Sequence, residues 1–373
     1  MNIKKIFRIK YYREIFRLKD QFFRNQNLLN INNKISISKN IIPINKKKLN
    51  EIYNLLNEND YVHKDSIWFS ILTNHHIKFL SYVNDNKNNL KYALDNPKLF
   101  NIFYGFDDNC EILHKSSSFN FKFRYSLLII DKLISFCEFL GILRLDNPEN
   151  LKKIDKNLNI EKLIIKIEKK IKLKLKFNNP FPGEKGIETS KGILTSREIQ
   201  AIYQAYKIKK MIDSNEYKKK NILEIGAGLG RTAYYCFKFG IKNYTLVDLL
   251  IPRICQINYL ARLIDEKKII TKPRLSNFYR KNIKVISPEF LFSNDIKFDL
   301  IFNSDSFTEI DFKNQKRYKK YIEKNSKIFF SINHENNYFK VSDYFNSKNL
   351  SRYSKNLYWL RRGYVEEVFR FKK

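Results

Sequence analysis

The stretch Asn221-Ile-Leu-Glu-Ile-Gly-Ala-Gly-Leu-Gly-Arg231 joins an apolar run to a helical pattern through three glycines. We interpret Asn221 to Gly226 as a strand and Gly230 to Phe239 as a helix. A glycine turn lets the backbone approach a ligand closely, and the helix that follows offers N–H groups that have no intrahelical partner. Such loops bind nucleotides at the carboxyl end of a sheet. The stretch therefore predicts a βα unit with a nucleotide site.

The spacing and the acids around the loop indicate which nucleotide binds. The dinucleotide fingerprint is G-x-G-x-x-G, whereas Gly226, Gly228 and Gly230 give G-x-G-x-G. Glu224 stands two residues before the first glycine, where a carboxylate suits the α-ammonium group of S-adenosylmethionine and repels phosphates. Asp248 ends the next strand and can accept both ribose hydroxyls. We therefore predict S-adenosylmethionine, with NAD binding and a purely structural turn as alternatives.

Short apolar runs alternate with helical patterns on both sides of this loop. This alternation predicts an α/β fold, a Rossmann-like class I methyltransferase domain with a mainly parallel sheet covered on both faces. The tail from Gly363 to Phe371 alternates apolar and polar residues, which predicts an edge strand that closes the sheet. The other predicted elements are strands at Tyr244–Asp248, Ile283–Ser287, Phe298–Asn303 and Lys327–Ile332 and a helix at Ile254–Ile264.

The first half of the chain has a different pattern. Lys34 to Lys48 is polar and predicts a loop, and helical patterns follow from Leu49 to Leu143 and from Glu161 to Lys170. Turn-forming residues gather between Phe177 and Gly186. We therefore predict a mainly α-helical N-terminal domain over 1–185 and the cofactor-binding domain over 186–373. Thr195 or Ser196 is expected to cap a helix that runs through Met211.

The N-terminal segment and the cysteines bear on localisation. Residues 3–24 combine an apolar stripe with basic residues, which fits either a docking helix or a peripheral membrane contact. No apolar run reaches the roughly 18 residues of a membrane span, and no signal-peptide pattern occurs at the start. The cysteines form no C-x-x-C pair, so we predict reduced thiols in a cytoplasmic protein: Cys110, Cys137, Cys236 and Cys255.

The formal net charge of +33 has two interpretations. A basic surface attracts anionic partners such as nucleic acid, phosphorylated substrates, acidic glycans or anionic lipid. Lysine, asparagine, isoleucine and phenylalanine are also abundant throughout the chain, which is the pattern of an AT-rich coding sequence. The charge alone does not indicate a nucleic-acid substrate.

The ends of the fourth and fifth strands bear on the acceptor. Asn303-Ser-Asp-Ser-Phe307 lacks the paired prolines of enzymes that methylate base amines, and no Pro-Cys nucleophile lies nearby. A sugar hydroxyl has a pKa far above 7, so its methylation needs a base or a metal. His334 is the candidate base, with Asp305, Glu309 or Glu335 supporting it. A divalent metal held by Asp305, Glu309, Asn333 and His334, or a purely structural His334, are the alternatives, and we assign no metal ligand.

These residues give the sequence a resemblance to a known family. From about residue 180 to 373 it resembles the bacterial sugar O-methyltransferases. One departure is that the proline of their Asp-Leu-Pro run is delayed here to Pro252. The stretches that carry the resemblance are Gln200–Tyr206, Leu223–Ala233, Val247-Asp248, Asn303–Glu309, Phe330–Glu335 and Tyr358–Glu367.

The resemblance implies S-adenosylmethionine as cofactor and a glycan or activated sugar as acceptor. Arg361 and Arg362 are expected to meet an anionic group of that acceptor. An RNA methyltransferase and a non-catalytic membrane-surface or scaffolding protein remain as alternatives. The candidate cofactor-binding residues are Glu224, Gly226, Ala227, Gly228, Gly230, Asp248, Ser287 and Asn303, and the candidate catalytic residues are His334, Asp305, Glu309 and Glu335.

Overall fold

A computed structural model describes most of the chain. The described residues are 35–58, 62, 64, 66–83, 86–110, 119–145, 159–214, 220–336, 339–345 and 348–372, with side chains from 125 onward in the helix that begins at 119. The segment 3–24 lies outside them. None of the described helices is both long and apolar enough to cross a membrane.

The strands form two sheets. A small antiparallel sheet has the order β1-β2-β3, and the large sheet has the order β10-β11-β9-β8-β4-β5-β7-β6. The strands are β1 Ile35–Ile37, β2 Lys185–Thr189, β3 Gly192–Leu194, β4 Asn221–Ile225, β5 Asn243–Val247, β6 Ile269–Ile270, β7 Ile283–Ile286, β8 Phe298–Ser304, β9 Ser326–His334, β10 Leu350–Leu357 and β11 Tyr364–Phe371.

The large sheet is mainly parallel. Every pairing from β9 through β8, β4, β5 and β7 to β6 is parallel. Only β11 runs the other way, antiparallel to both of its neighbours. This is the strand order of the class I methyltransferase fold. The predicted α/β fold with a Rossmann-like, mainly parallel sheet is confirmed.

One strand prediction was wrong. The tail from Gly363 to Phe371 was expected at the edge of the sheet, but β11 lies between β9 and β10. Its residues are mostly buried, whereas β10 is exposed at nearly every position and forms the edge. The sequence did not indicate β10 because Leu-Ser-Arg-Tyr-Ser-Lys-Asn-Leu lacks regular alternation of apolar and polar residues.

Twelve α-helices are described. The π-helical turn Leu72–His76 joins α2 to α3. Thr195 caps α7, because its hydroxyl accepts the N–H of Glu198 at 3.1 Å. The helices are α1 Lys46–Leu55, α2 Ile67–Ile71, α3 Ile77–Val83, α4 Lys87–Asp95, α5 Phe119–Phe139, α6 Ile160–Ile171, α7 Ser196–Asp213, α8 Arg231–Lys238, α9 Leu250–Ala261, α10 Pro288–Phe292, α11 Phe312–Asn325 and α12 Val341–Tyr344.

The two faces of the large sheet bury different apolar clusters. One cluster joins residues of the first half, such as Phe103 and Phe136, to sheet residues such as Ile222 and Leu300. The other covers the opposite face with Leu223, Ile301 and residues of α10 to α12. Side chains alternate between the faces of a strand, so β4 contributes to both clusters. The division into 1–185 and 186–373 stays a prediction, since the first cluster includes residues of both ranges.

Candidate functional site

A cavity of about 470 Å³ opens at the carboxyl ends of β4, β5, β8 and β9. This edge is where ligands bind in open α/β sheets, and the volume is typical of small-molecule sites. The predicted residues that line the cavity are Glu224, Gly226, Ala227, Gly228, Asp248, Asp305, Glu309 and His334.

The glycine loop passes between β4 and α8 with all three glycines at positive φ. At Gly226 a side chain would clash, because a Cβ there would lie 2.1 Å from the hydroxyl oxygen of Ser306. At Gly228 a Cβ would make only ordinary contacts with Phe106, the nearest at 3.6 Å. The end of β8 and the segment around Phe106 therefore enclose the loop from two sides.

Two buried carboxyls flank the loop. The Oε2 atom of Glu224 accepts the hydroxyl of Tyr244 at 2.9 Å, and burial raises the pKa of Glu224 to about 8. Asp248 accepts the N–H of Leu249 at 2.9 Å and an amide N–H of Gln256 at 2.8 Å. Burial raises the pKa of Asp248 to about 7. Both groups line the cavity and could receive cationic or hydroxyl donors.

On the side of β4 away from β5, the segments that end β8 and β9 bring Asp305, Glu309 and His334 to the cavity wall. Asp305 accepts hydrogen bonds from the Tyr364 hydroxyl and, at 2.8 Å, from Arg361. The Glu309 carboxyl makes no hydrogen bond to a described residue, and burial, with the Asp305 charge as a second cause, raises its pKa to about 7. The Nδ1 atom of His334 accepts the N–H of Asn336 at 3.3 Å.

Four predicted residues lie in other positions. Asn303 is fully buried and donates to the carbonyl of Ile225 at 2.9 Å, so it braces the loop from behind. Ser287 caps α10. A Cβ at Gly230 would face the core residues Leu246 and Leu260. Glu335 pairs with Lys355 on β10. Their predicted roles in binding or catalysis are untested.

The first half of the chain, for which the sequence suggested a substrate-side or docking role, also lines the cavity, with residues that the sequence did not identify. Trp68 and Phe106 stack with ring centroids 6.3 Å apart, and Asp107 follows them. These residues lie more than a hundred positions from the loop in sequence, so no local pattern could place them there. Asp107, with Glu184, forms ion pairs with Arg231, the first residue of α8.

Residues of α7 and the segment before β11 complete the wall. Arg197 and Gln204 of α7 line the cavity, and Gln204 bonds to Ser304 at 2.9 Å and to Thr232 at 2.7 Å. The helix itself was expected from its N-cap, but only the resemblance over Gln200–Tyr206 singled out residues on it. Arg361 also lines the cavity, as expected, whereas Arg362 is not among the lining residues.

The cavity is acidic although the chain carries a net charge of +33. Among the described residues its wall has seven carboxyl groups and three guanidinium groups, and Arg231 pairs with one of these acids, Asp107, and with Glu184, which does not line the cavity. The described residues include no group of three or more metal-ligating side chains of His, Cys, Asp or Glu. The site therefore favours cations and hydroxyl-rich ligands over polyanions.

No protein-family model and no curated protein matches the sequence. Similar solved structures include an assigned RNA methyltransferase from Pyrococcus horikoshii, at 15% identity over 45% of this chain and 82% of that one, with a TM-score of 0.30. The methyltransferase domain of a bacterial Hen1 matches at 12% over 46% and 100%, with a TM-score of 0.32. The glycopeptide N-methyltransferase MtfA in complex with S-adenosylmethionine matches at 16% over 45% and 67%, with a TM-score of 0.28. At these scores the matches indicate no activity for this chain.

Proposed function

We propose that this protein transfers a methyl group from S-adenosylmethionine to a hydroxyl group of a sugar. The observation that carries the proposal is one cavity that joins the glycine loop and its two acids to the Glu309 carboxyl and the His334 ring. The distance between cofactor and acceptor is then set by the protein, and holding reactants together in line supplies a large part of the rate of such a displacement.

The residues at the loop end of the cavity fit S-adenosylmethionine. Glu224 can pair with the ammonium group of the methionine part, and Asp248 can accept the ribose hydroxyls. The apolar Val247, Leu249 and Pro252 line the same end and suit the adenine. A dinucleotide fits poorly, because its pyrophosphate offers Glu224 and Asp248 neither a cation nor a hydrogen-bond donor.

Bound at this end, the cofactor supplies a methyl group activated by its sulfonium. The acceptor hydroxyl must lose its proton, and Glu309 is the base that we favour. Its pKa of about 7 leaves much of it ionised at neutral pH, and no described residue competes for its oxygens. His334 is the second candidate. Because its Nδ1 accepts the Asn336 N–H, Nε2 carries the ring proton and donates to the acceptor, so His334 would act as the base only once Nδ1 has released that N–H.

A sugar is the acceptor class that the opposite wall supports. Hydroxyl groups both donate and accept, and this wall offers oxygen acceptors on Asp311 and Asn314 and N–H donors on Arg361. Arg197 also points its charge at this end, 3.9 Å from Asp305. An acceptor with one carboxylate or phosphate would use the remaining N–H groups of Arg361 and Arg197.

Titration calorimetry tests the cofactor. Glu224 is mostly protonated in the free protein near pH 7, because its pKa is about 8, and pairing with an ammonium group requires the ionised form. Binding of S-adenosylmethionine is therefore expected to release a proton, so its heat should differ between buffers of different ionisation enthalpy. Glu224→Gln should bind more weakly and without that difference. Equal heats in all buffers would contradict the role of Glu224.

The two alternatives predict other outcomes. An RNA methyltransferase would transfer the methyl group to RNA in a reaction that weakens steeply with salt. The acidic cavity disfavours it, because phosphates on both sides of a target ribose would approach carboxylates. A non-catalytic protein would bind no S-adenosylmethionine at all, and a flat calorimetric titration would exclude both enzymatic hypotheses.

A further inference from the structure

The exposed side of α11 is entirely cationic and aromatic. Six of its fourteen residues are exposed: Phe312, Lys313, Lys316, Arg317, Lys320 and Lys324. At about 100° per residue these positions fall within an arc of roughly 140°, so they form one continuous stripe. We call these six residues the α11 stripe.

Little of this charge is neutralised within the protein. Lys324 lies 3.4 Å from Asp295, which also pairs with Lys297. Lys313, Lys316, Arg317 and Lys320 form no ion pair with any residue that the structure describes. Cations held this close together repel one another, so the stripe favours an anionic partner.

A pair of exposed aromatic rings extends the α11 stripe at its N-terminal end. Phe312 is 50% exposed and Phe339 is 38% exposed, and their rings stack with centroids 5.7 Å apart. The ammonium group of Lys316 lies 4.1 Å from the centre of the Phe312 ring. Exposed aromatic rings surrounded by lysines are the composition of surfaces that enter the headgroup region of a bilayer.

The stripe also adjoins the cavity. Asp311, Asn314 and Tyr318 belong to the first turns of α11 or precede it by one residue, and all three line the cavity wall. A partner bound along the stripe would therefore lie beside the acceptor end of the site.

We propose that the α11 stripe, together with Phe339, docks the protein on an anionic lipid bilayer. The charge and the exposed rings match the two components of such a surface, phosphate headgroups and the apolar boundary beneath them. RNA is the other polyanion that such a stripe could bind, but its phosphates would also meet the acidic cavity. Only the purpose of docking, which is to bring a lipid-linked sugar to the cavity, rests on the proposed function.

A charge-matched pair of variants tests the docking. One replaces Lys313, Lys316, Arg317 and Lys320 by Gln. The control replaces four exposed lysines of α6, which are Lys162, Lys166, Lys169 and Lys170. Both lose four positive charges, so the net charge of the two variants is equal. Circular dichroism and S-adenosylmethionine calorimetry establish that each variant folds and whether the cofactor site is intact, independently of lipid.

Co-sedimentation is measured with vesicles of phosphatidylcholine with and without phosphatidylglycerol. Each surface cation contributes about 1 kcal/mol to binding at an anionic bilayer, so the α11 variant should lose at least about tenfold in affinity. The α6 variant should stay within about twofold of the unmodified protein. Phe312→Ser alone should weaken binding to the mixed vesicles. Equal losses in the two variants, no binding to mixed vesicles, or an α11-dependent preference for polyuridylate over vesicles would each overturn the proposal.

Discussion

A side chain does not fit at Gly226, because its backbone conformation favours glycine and Ser306, just after β8, lies too close. Gly226→Ala would strain the left-handed backbone, which costs about 1–3 kcal/mol, and would push the methyl group into Ser306. Gly240 is also at positive φ, but a Cβ there meets no atom within 4 Å. We expect both alanine variants to melt at a lower temperature, but only Gly226→Ala to lose S-adenosylmethionine binding in calorimetry. Normal binding by Gly226→Ala would show that the loop tolerates a shift.

Substitution of Glu309 tests which side chain removes the proton from the acceptor hydroxyl. As the base it must be ionised, so kcat/KM should rise with pH and level off above its pKa of about 7. Glu309→Gln should lower kcat by about 10²- to 10⁴-fold and remove that pH dependence. Glu335→Gln is the control, since Glu335 pairs with Lys355 instead of lining the cavity. If His334→Ala loses the pH dependence and Glu309→Gln retains it, histidine is the base.

The sequence predicted which residues lie near this site better than it predicted where their side chains point. Glu224, Asp248 and Glu309 were expected from their positions near the ends of strands, and all three line the cavity. Glu335 follows His334 in sequence, but it lies in the bend after β9 and pairs with Lys355. Asn303 also ends a strand, but its amide turns toward the Ile225 carbonyl. Which way a strand-end side chain points depends on neighbours that the sequence does not identify.

At the scale of elements, Arg231 joins α8 to three other parts of the chain. Its guanidinium pairs with Asp107 and Glu184 and lies 3.5 Å from Glu198, all four side chains being buried. Arg231→Met would leave the acids buried without their cation, which costs about 3–5 kcal/mol. Lys297→Met is the control, because its exposed pair with Asp295 contributes at most about 1 kcal/mol. Urea unfolding measures both, and equal losses would contradict the structural role of Arg231.

The elements near the glycine loop were predicted closely because they are short, apolar and regularly spaced. β4, β5, β7 and β8 begin and end within one residue of their predicted bounds. The β2–β3 hairpin was not predicted, since it begins at the end of the turn-rich run from Phe177 to Gly186, which indicated only a boundary. β10 was missed because it is exposed on both sides and so has no apolar face.

At the scale of the whole molecule, one apolar cluster connects the first half of the chain to the sheet. A fragment of residues 186–373 would expose the sheet residues that Phe103 and Phe136 help to cover. We expect this fragment to bind a hydrophobic dye and to unfold without a cooperative transition, whereas the full chain unfolds cooperatively. A cooperative transition in the fragment would instead support two independent domains, as the sequence predicted.

Net charge and local charge differ strongly in this protein. The sequence indicated a general attraction to anions from its charge of +33, and this could not predict an acidic cavity. Most described lysines are exposed, whereas seven carboxyl groups come together in the cavity wall. Composition describes a surface, but the charge of a cavity depends on which few side chains the fold brings together.

The place of β11 has a consequence for biosynthesis. β10 is made before β11, yet it contacts the sheet only through β11, which lies between it and β9. On the ribosome, β10 therefore has no strand to pair with until residue 371 has left the exit tunnel. The C-terminal end of β9, which carries His334, likewise has no partner strand on its β11 side until Tyr364 has been synthesised. The cavity wall made by Arg361 and Tyr364 is thus completed only after nearly all of the chain has been translated.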